Sequence, residues 1–218
     1  MKKFKSFAAF LDGLKNRRKS LIFLIGLDIF LAIGSGIADW PWIMSVVKDT
    51  PHLLPFMPIC SLYPMTLAIW FTLYYFKKRI PGWYTAFIFM GIVSYGLMAW
   101  IYYPAYIAWD GMQWRLYGNM AWVSIYALQS FIIASELKKL PWYQYSLIFA
   151  YFGFKDYADR YLGTFIDVRR TDFPEDLKIT LWAVIITLHI LAAAAVILFP
   201  YFKSLKAKLP SPSFQEVR

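Results

Sequence analysis

The sequence predicts an all-α integral membrane protein, a bundle of about six transmembrane helices with both termini in the cytoplasm. Of the 218 residues, 60% are hydrophobic and only 17% are charged. Several apolar stretches approach the ~20 residues that a helix needs to cross the hydrocarbon core, and lysines and arginines cluster at alternate ends of these stretches. The composition excludes a disordered chain. It also argues against a soluble nucleic-acid-binding protein, despite a net charge of +10.

Six stretches have, or nearly have, the length and apolar character of a membrane span. They are residues 20–38, 55–76, 83–103, 114–134, 141–154 and 178–202. The fifth is short unless its helix continues through the charged residues that follow, and the sixth is the clearest. The chain therefore divides into a basic cytoplasmic segment (residues 1–19), a six-helix transmembrane domain (20–202) and a cytoplasmic tail (203–218).

The charges orient this bundle. With the N-terminus in the cytoplasm, 16 of the 23 Lys and Arg residues lie on the cytoplasmic side and 9 of the 13 acidic residues lie on the outer side. Because Lys and Arg near span ends favour the cytoplasm, the pattern predicts a multi-pass protein of the plasma membrane. In a five-span alternative, residues 141–154 would stay outside the hydrocarbon and the basic tail would lie on the outer side.

The first 19 residues carry apolar side chains at three- and four-residue spacing, with lysines between them. This pattern is typical of a short amphipathic helix that lies on anionic headgroups. The apolar residues are Phe4, Phe7, Phe10, Leu11 and Leu14. We expect anionic lipid to bind the basic residues from Lys2 to Lys19; the alternative is a solvated leader that only sets orientation.

Two ionisable residues are predicted at mid-membrane depth, where such groups are costly and mark candidate functional sites. Asp28 in the first span and His189 in the sixth are both expected near the middle of the ~30 Å core. If their helices pack together, a carboxylate–imidazole pair would satisfy both groups and could carry a proton. The alternatives are a structural pair, or two groups with separate hydroxyl partners.

Small and uncharged polar residues in the spans are expected to hold helices together. Ser94 and Gln129 add hydrogen-bonding groups to the third and fourth spans, where such groups commonly bridge helices. Glycines allow backbones to approach closely. The glycines expected to do so are Gly34, Gly36, Gly91 and Gly96.

The densest charged segment follows the fifth stretch and is predicted on the outer face. If it is helical, Asp156 and Asp159 share a face, and Lys155–Asp159 and Asp156–Arg160 are i,i+4 pairs. Two carboxylates three residues apart can hold a divalent cation. With the later Asp167, they are similar to fragments of the CDP-alcohol phosphotransferase motif, although the glycine that follows its second aspartate is absent. The alternative is an ion-paired helix end.

The sequence identifies no cofactor and leaves metal binding open. His52 is expected in the first outer loop and His189 near mid-membrane, and this difference in depth argues against an internal bis-histidine haem. A single cysteine, Cys60, cannot form an internal disulfide. The sequence contains no P-loop, HExxH, GxSxG or glycine-rich dinucleotide motif, and therefore no catalytic signature.

Several residues of roughly the stretch 22–174 occur in an order that resembles one family. They are Asp28 followed by Gly34 and Trp40, the run from Pro51 to Pro58, Tyr95-Gly96, Glu136, and Asp156 with Asp159. The family is the YpjA-like group of uncharacterised multi-pass membrane proteins, also called domain of unknown function 1405. The chain departs from its pattern at Ile59-Cys60, Ser94, Lys155 and Arg160. The resemblance implies a compact bundle of about six helices without an established activity, and some members are encoded near respiratory bc-type complexes.

Three functional hypotheses follow. Short loops leave no room for a soluble catalytic module. The first hypothesis is therefore an accessory or assembly subunit of a larger membrane complex, for example a respiratory one, with membrane proteins as partners. The second is a small-solute or proton-linked transporter that uses Asp28 and His189. The third is a metal-dependent lipid-modifying enzyme that uses Asp156 and Asp159. A dry, closely packed centre would favour the first hypothesis, and a hydrated internal cavity would favour the others.

Overall fold

The computed structural model describes residues 7–56, 61–111, 114–162 and 174–208, and within these ranges the chain is helical and contains no β-strand. The α-helices are α1 (Phe7–Lys15), α2 (Arg18–Asp49), α3 (Leu62–Tyr75), α4 (Gly82–Asp110), α5 (Trp114–Leu128), α6 (Ser130–Ala134), α7 (Trp142–Tyr161) and α8 (Glu175–Lys208). A short 3-10 helix, Pro51–Phe56, lies between α2 and α3. The all-α class predicted from the sequence is confirmed.

Within the described residues, three helices are long and apolar enough to cross a membrane. They are α2 over Arg18–Pro41, α4 over Gly82–Trp109 and α8 over Glu175–Phe202. The other predicted spans coincide with α3, with α5 and α6 together, and with α7. Of these, α3 has 14 residues and α5 has 15, so each alone is shorter than a bilayer core requires. Helix α7 has 20 residues but carries charged side chains in its last two turns.

Proline and glycine mark several helix boundaries. Pro81 and Pro141 precede α4 and α7 in extended backbone, where the missing N–H of proline is not needed. Gly111 follows α4 with a φ of 84°, a conformation that residues with a side chain rarely adopt. The helical path from α5 to α6 is interrupted at Gln129, whose side chain is buried.

Helix α4 is the centre of the bundle, since α3, α5, α6, α7 and α8 all pack against it. Helix α2 packs along α3 and extends the bundle on that side. The core between these helices consists mainly of large apolar and aromatic side chains that are fully buried. They include Leu31, Leu67, Trp70, Phe71, Ile88, Ile92, Tyr126, Ile133 and Phe152.

Helix α1 docks onto one end of this bundle. The Lys15 ammonium donates to Glu136 Oε1 at 2.6 Å and to Ser135 Oγ at 2.9 Å. Leu11 and Leu14 pack against the hydrophobic core. The predicted amphipathic segment is therefore helical from Phe7 onward, and part of its apolar side meets protein. Lipid binding by its basic residues stays a prediction.

Two further contacts bring other basic segments to the same end. Arg18 Nε donates to the Tyr75 hydroxyl, so the start of α2 meets the end of α3. Lys139 Nζ lies 4.0 Å from the centre of the Tyr201 ring, so the connection before α7 meets the C-terminal part of α8. We call this end of the bundle the basic end. The segments gathered there are those that the charge pattern predicts on the cytoplasmic side.

Of the four glycines expected to allow close helix approach, Gly96 lies at such an approach, while Gly34 and Gly91 leave room for aromatic side chains. A Cβ built on Gly96 would lie 2.3 Å from Ala127 Cβ, where α4 crosses α5. Gly34 and Gly91 are likewise crowded, by aromatic rings, whereas Gly36 has ordinary contact distances. Because lipid tails provide no hydrophobic force between helices, such close packing contributes much of their association.

We expect the substitution Gly96→Ala to destabilise the protein by about 1–3 kcal/mol, since the Cβ of Ala127 cannot rotate away from the added methyl group. The matched control is Gly26→Ala, because nothing lies within 4 Å of a Cβ at Gly26. Alanine there should be neutral or stabilising by about 0.5–1 kcal/mol. Thermal unfolding in detergent measures both variants. Equal unfolding temperatures for the two would contradict the close α4–α5 packing.

Candidate functional site

Three buried ionisable side chains and one half-buried aspartate lie together where α7 packs against α4 and α8. We call Lys155, Asp156, Asp159 and His189 the ionic cluster. Lys155 is 2% exposed, Asp159 is 4% exposed and His189 is 8% exposed. Charged groups so deeply buried are rare unless they are paired. The cluster is therefore the first place in the structure to look for chemistry.

Lys155 is held by one carboxylate and one aromatic ring. Its ammonium lies 2.5 Å from Asp159 Oδ2, one helical turn further along α7. The same ammonium lies 4.8 Å from the centre of the Tyr95 ring on α4, within cation–π range. Burial of the lysine is tolerable because both partners face its charge, and removal of either would leave charge in an apolar setting.

His189 reaches across from α8 to the other aspartate of the cluster. Its Nδ1 lies 2.7 Å from Asp156 Oδ2, and its ring packs against Phe152 at 5.5 Å between ring centres. An ionised Asp156 only accepts hydrogen bonds, and in that state Nδ1 carries the proton and donates it to Asp156. The carboxylate thereby fixes the orientation and the tautomer of the imidazole, which leaves Nε2 as the atom available for proton exchange.

Each member of this pair also has one atom without a hydrogen bond. His189 Nε2 and Asp156 Oδ1 are buried and find no hydrogen-bond partner among the residues that the structure describes. Beside them lies a cavity of about 10 Å³, bordered by Ser94, Met98 and Ile185. That volume holds about one water molecule, which needs polar neighbours of the kind these two atoms supply. The cavity is too small for an organic solute.

The members of the site lie at similar distances from the basic end. At about 1.5 Å per residue, Asp156 is roughly 21 Å from the start of α7. His189 is roughly 20 Å from the end of the candidate span in α8, and Tyr95 is roughly 20 Å from the start of α4. Three helices thus bring polar groups to one level of the bundle.

Asp28 forms a second buried polar pair, and its partner is not the predicted one. Gln129 Nε2 donates to Asp28 Oδ1 at 2.7 Å, and Asp28 is fully buried. Since His189 bonds Asp156, the expected Asp28–His189 pair does not form. The physical reason is packing order: α8 lies against α4 and α7, while α2 packs mainly along α3.

The remaining predicted site residues have varied surroundings. Ser94 Oγ donates to the Met90 carbonyl one turn earlier, at 2.6 Å, and borders the cavity. Arg160 stacks against the ring of Tyr161, and Asp156 bonds His189, so the Asp156–Arg160 pair expected from helical spacing is replaced. Asp167 lies outside the described residues.

The two histidines are in different settings. His52 is exposed in the 3-10 helix, whereas His189 is buried within α8. In the described ranges, no group of three or more His, Cys, Asp or Glu side chains could hold a metal ion. The carboxylates of Asp156 and Asp159 face cationic or hydrogen-bonding partners from the protein itself.

Sequence reasoning missed the burial of Lys155 and the pairing of Asp156 with His189. One signal could have found the pair, because both residues are about 13 or 14 positions from the basic end of their helices. The fifth apolar stretch ends at Phe154, and the sequence leaves open whether its helix continues. Helix α7 continues to Tyr161, which brings the charged residues into contact with the bundle. The placement of Asp156 on the outer face stays a prediction.

No protein-family model, no curated protein and no solved structure matches this chain. The resemblance to the YpjA-like family therefore stays a prediction.

We expect Asp159→Asn to destabilise the protein by about 3–5 kcal/mol, because it leaves the Lys155 ammonium buried without a carboxylate. The double variant Lys155→Met/Asp159→Asn should recover much of this loss, since it removes the unpaired charge. Unfolding in mixed micelles measures the differences.

The control for this comparison is the pair of half-buried Lys178 and exposed Glu175 on α8, whose charged atoms are 3.3 Å apart. Glu175→Gln should change stability by less than about 1 kcal/mol. A double cluster variant as unstable as Asp159→Asn alone would show that the buried charge is not the source of the loss.

Proposed function

We propose that this chain is a multi-pass protein of the plasma membrane, with six spans and a cytoplasmic basic end, that passes protons through the His189–Asp156 pair. The observation that carries the proposal is the 2.7 Å contact between these side chains, buried in the bundle beside space for about one water. Intramembrane ionisable residues commonly form proton pathways. The transport hypothesis is thus kept, with Asp156 in place of Asp28 as the partner of His189.

The chemistry of this pair is simple. A proton that reaches Nε2 from the cavity produces an imidazolium, which can release its other proton from Nδ1 to Asp156 Oδ2. The protonated Asp156 then gives up that proton to water, and rotation of the ring turns its remaining N–H back toward the carboxylate. One proton enters and one leaves. Imidazole suits this step because one ring nitrogen can accept a proton while the other donates one.

Lys155 and Asp159 support the relay through charge. Their ion pair is internally neutral, so it adds polarity next to Asp156 without adding net charge. With His189 neutral, the four groups carry a formal charge of about −1, and uptake of one proton brings the cluster to neutrality. A net negative charge in a buried site favours uptake of a proton.

The size of the cavity favours proton transfer over transport of a larger solute. Space for about one water admits no organic solute, so carriage of a larger substrate would require an opening of α7 away from α4 and α8. The two aspartates that a metal-dependent lipid-modifying enzyme would need already bond His189 and Lys155. The geometry therefore gives that hypothesis no support.

A second candidate function is the accessory or assembly subunit. The closely packed centre favours it, as does an apolar groove of about 540 Å³ on the outside of the bundle. The groove lies between α4, α5, α6 and α8 and is bordered by exposed large side chains, among them Leu97, Trp100, Leu128 and Phe131. Membrane-protein partners can pack into such grooves through van der Waals contact.

Proton flux into proteoliposomes tests the first candidate. A potassium diffusion potential drives protons, and a trapped dye reports internal pH. We expect His189→Gln and Asp156→Asn each to lower the flux of the purified protein at least tenfold, because each removes one side of the relay. His52→Gln and Asp49→Asn change the same residue types at exposed positions and should leave the flux unaltered.

Wild-type flux no greater than that of empty vesicles would overturn proton transfer and favour the accessory subunit. Unchanged flux in His189→Gln would also overturn the assignment of the pathway to this pair. Circular dichroism and monodisperse elution of each variant show that it is folded before its flux is compared.

A further inference from the structure

The pair of Asp28 and Gln129 plays no part in the proposed relay, yet it is the most deeply buried polar contact between α2 and the rest of the bundle. Asp28 is fully buried and Gln129 is 4% exposed. Gln129 lies at the interruption between α5 and α6, where its carbonyl still accepts from the Ile132 amide at 2.9 Å. The pair thus joins α2 to a break in the neighbouring helical path.

The contact between the two side chains is half complete. Gln129 Nε2 donates to Asp28 Oδ1 at 2.7 Å. The second oxygen of each group, Asp28 Oδ2 and Gln129 Oε1, is buried without a hydrogen-bond partner in the described part of the chain. Both atoms are acceptors when the carboxyl group is ionised. These two buried oxygens belong to neighbouring side chains and both accept hydrogen bonds, so a donor is missing between them.

An ionised Asp28 would also lack a counter-charge. None of the Lys, Arg or His side chains within the described ranges forms an ion pair with it. An isolated carboxylate buried in an apolar interior carries a large desolvation penalty, and such groups usually take up a proton instead. One proton on Oδ2 would remove the charge and supply the missing donor together.

We propose that Asp28 is a resident proton-binding site: its carboxyl group is protonated on Oδ2 and donates to Gln129 Oε1, which closes a cyclic acid–amide pair. In this pair the amide N–H donates to one carboxyl oxygen and the acid O–H donates to the amide oxygen. All four polar atoms are then satisfied. The inference does not rest on proton passage at His189, which lies in a separate contact with Asp156.

A metal cation between the two free oxygens is the competing occupant. Calcium takes six to eight oxygen ligands and magnesium takes six. Asp28 and Gln129 offer two free oxygens, and the described residues hold no set of three or more metal-binding side chains. A proton bound to one of the two free oxygens needs only the other as its acceptor, so these two atoms are enough to hold it.

Infrared spectroscopy of the purified, reconstituted protein tests the proposal. At neutral pH the wild-type spectrum should contain the carbonyl band of a protonated carboxylic acid that shifts when aspartate carries ¹³C in its side-chain carboxyl group. Asp28→Asn should remove this band. Asp156→Asn and Asp39→Asn serve as controls and should retain it. Gln129→Leu should move the band to higher frequency, because the acid loses its hydrogen-bonded amide.

The unfolding temperature of Asp28 variants gives an independent test of the proposal. Asp28→Asn replaces the acid by an amide that can both donate to and accept from Gln129, so its unfolding temperature should stay close to that of the wild type. Asp28→Leu should unfold at a clearly lower temperature. Absence of an acid band from labelled wild-type protein would overturn the proposal even if every variant misfolded. Stabilisation of the wild type by sodium, potassium or calcium over choline, lost in Asp28→Asn, would assign the site to a cation instead.

Discussion

The structure depends on one constraint: every ionisable group that a helix brings into the apolar bundle has to be met there by another side chain. Hydrocarbon offers no hydrogen bonds, and an unpaired buried charge is among the costliest features a protein can have. This constraint applies most strongly to helix α7, because it carries Lys155, Asp156 and Asp159 in its last two turns. Its packing against α4 and α8 is explained by the partners that those helices provide, Tyr95 and His189.

The same constraint separates structural pairing from function. The Lys155–Asp159 pair is joined by a charge-assisted bond, and its burial needs no further explanation than the position of α7. The other two pairs are each incomplete, since His189 with Asp156, and Asp28 with Gln129, retain buried atoms without hydrogen bonds in the described ranges. One proton or one water at each place would complete them. The two proposals share this reasoning and concern different sites, so either can fail without the other.

Part of this could be predicted from the sequence. Apolar stretches of near-membrane length indicated the helices, and counting from their ends singled out Asp28 and His189 as intramembrane groups. Spacing along one helix also predicted the Lys155–Asp159 contact, because residues four apart face the same side. The partner of His189 was beyond such reasoning, since Asp156 is 33 positions away and contact depends on which helices are neighbours. Whether α7 continues past Phe154 could not be decided from the sequence, because burial of its charges relies on those tertiary partners.

The state of the His189 ring tests the central claim most directly. The sequence contains two histidines, so ¹⁵N-histidine NMR of the reconstituted protein gives two sets of ring signals, and His52→Gln identifies those of His189. The account predicts that Nδ1 of His189 carries a proton in a strong hydrogen bond that weakens in Asp156→Asn, while Nε2 exchanges protons with water. A ring protonated on Nε2 alone, with signals unchanged by Asp156→Asn, would contradict it.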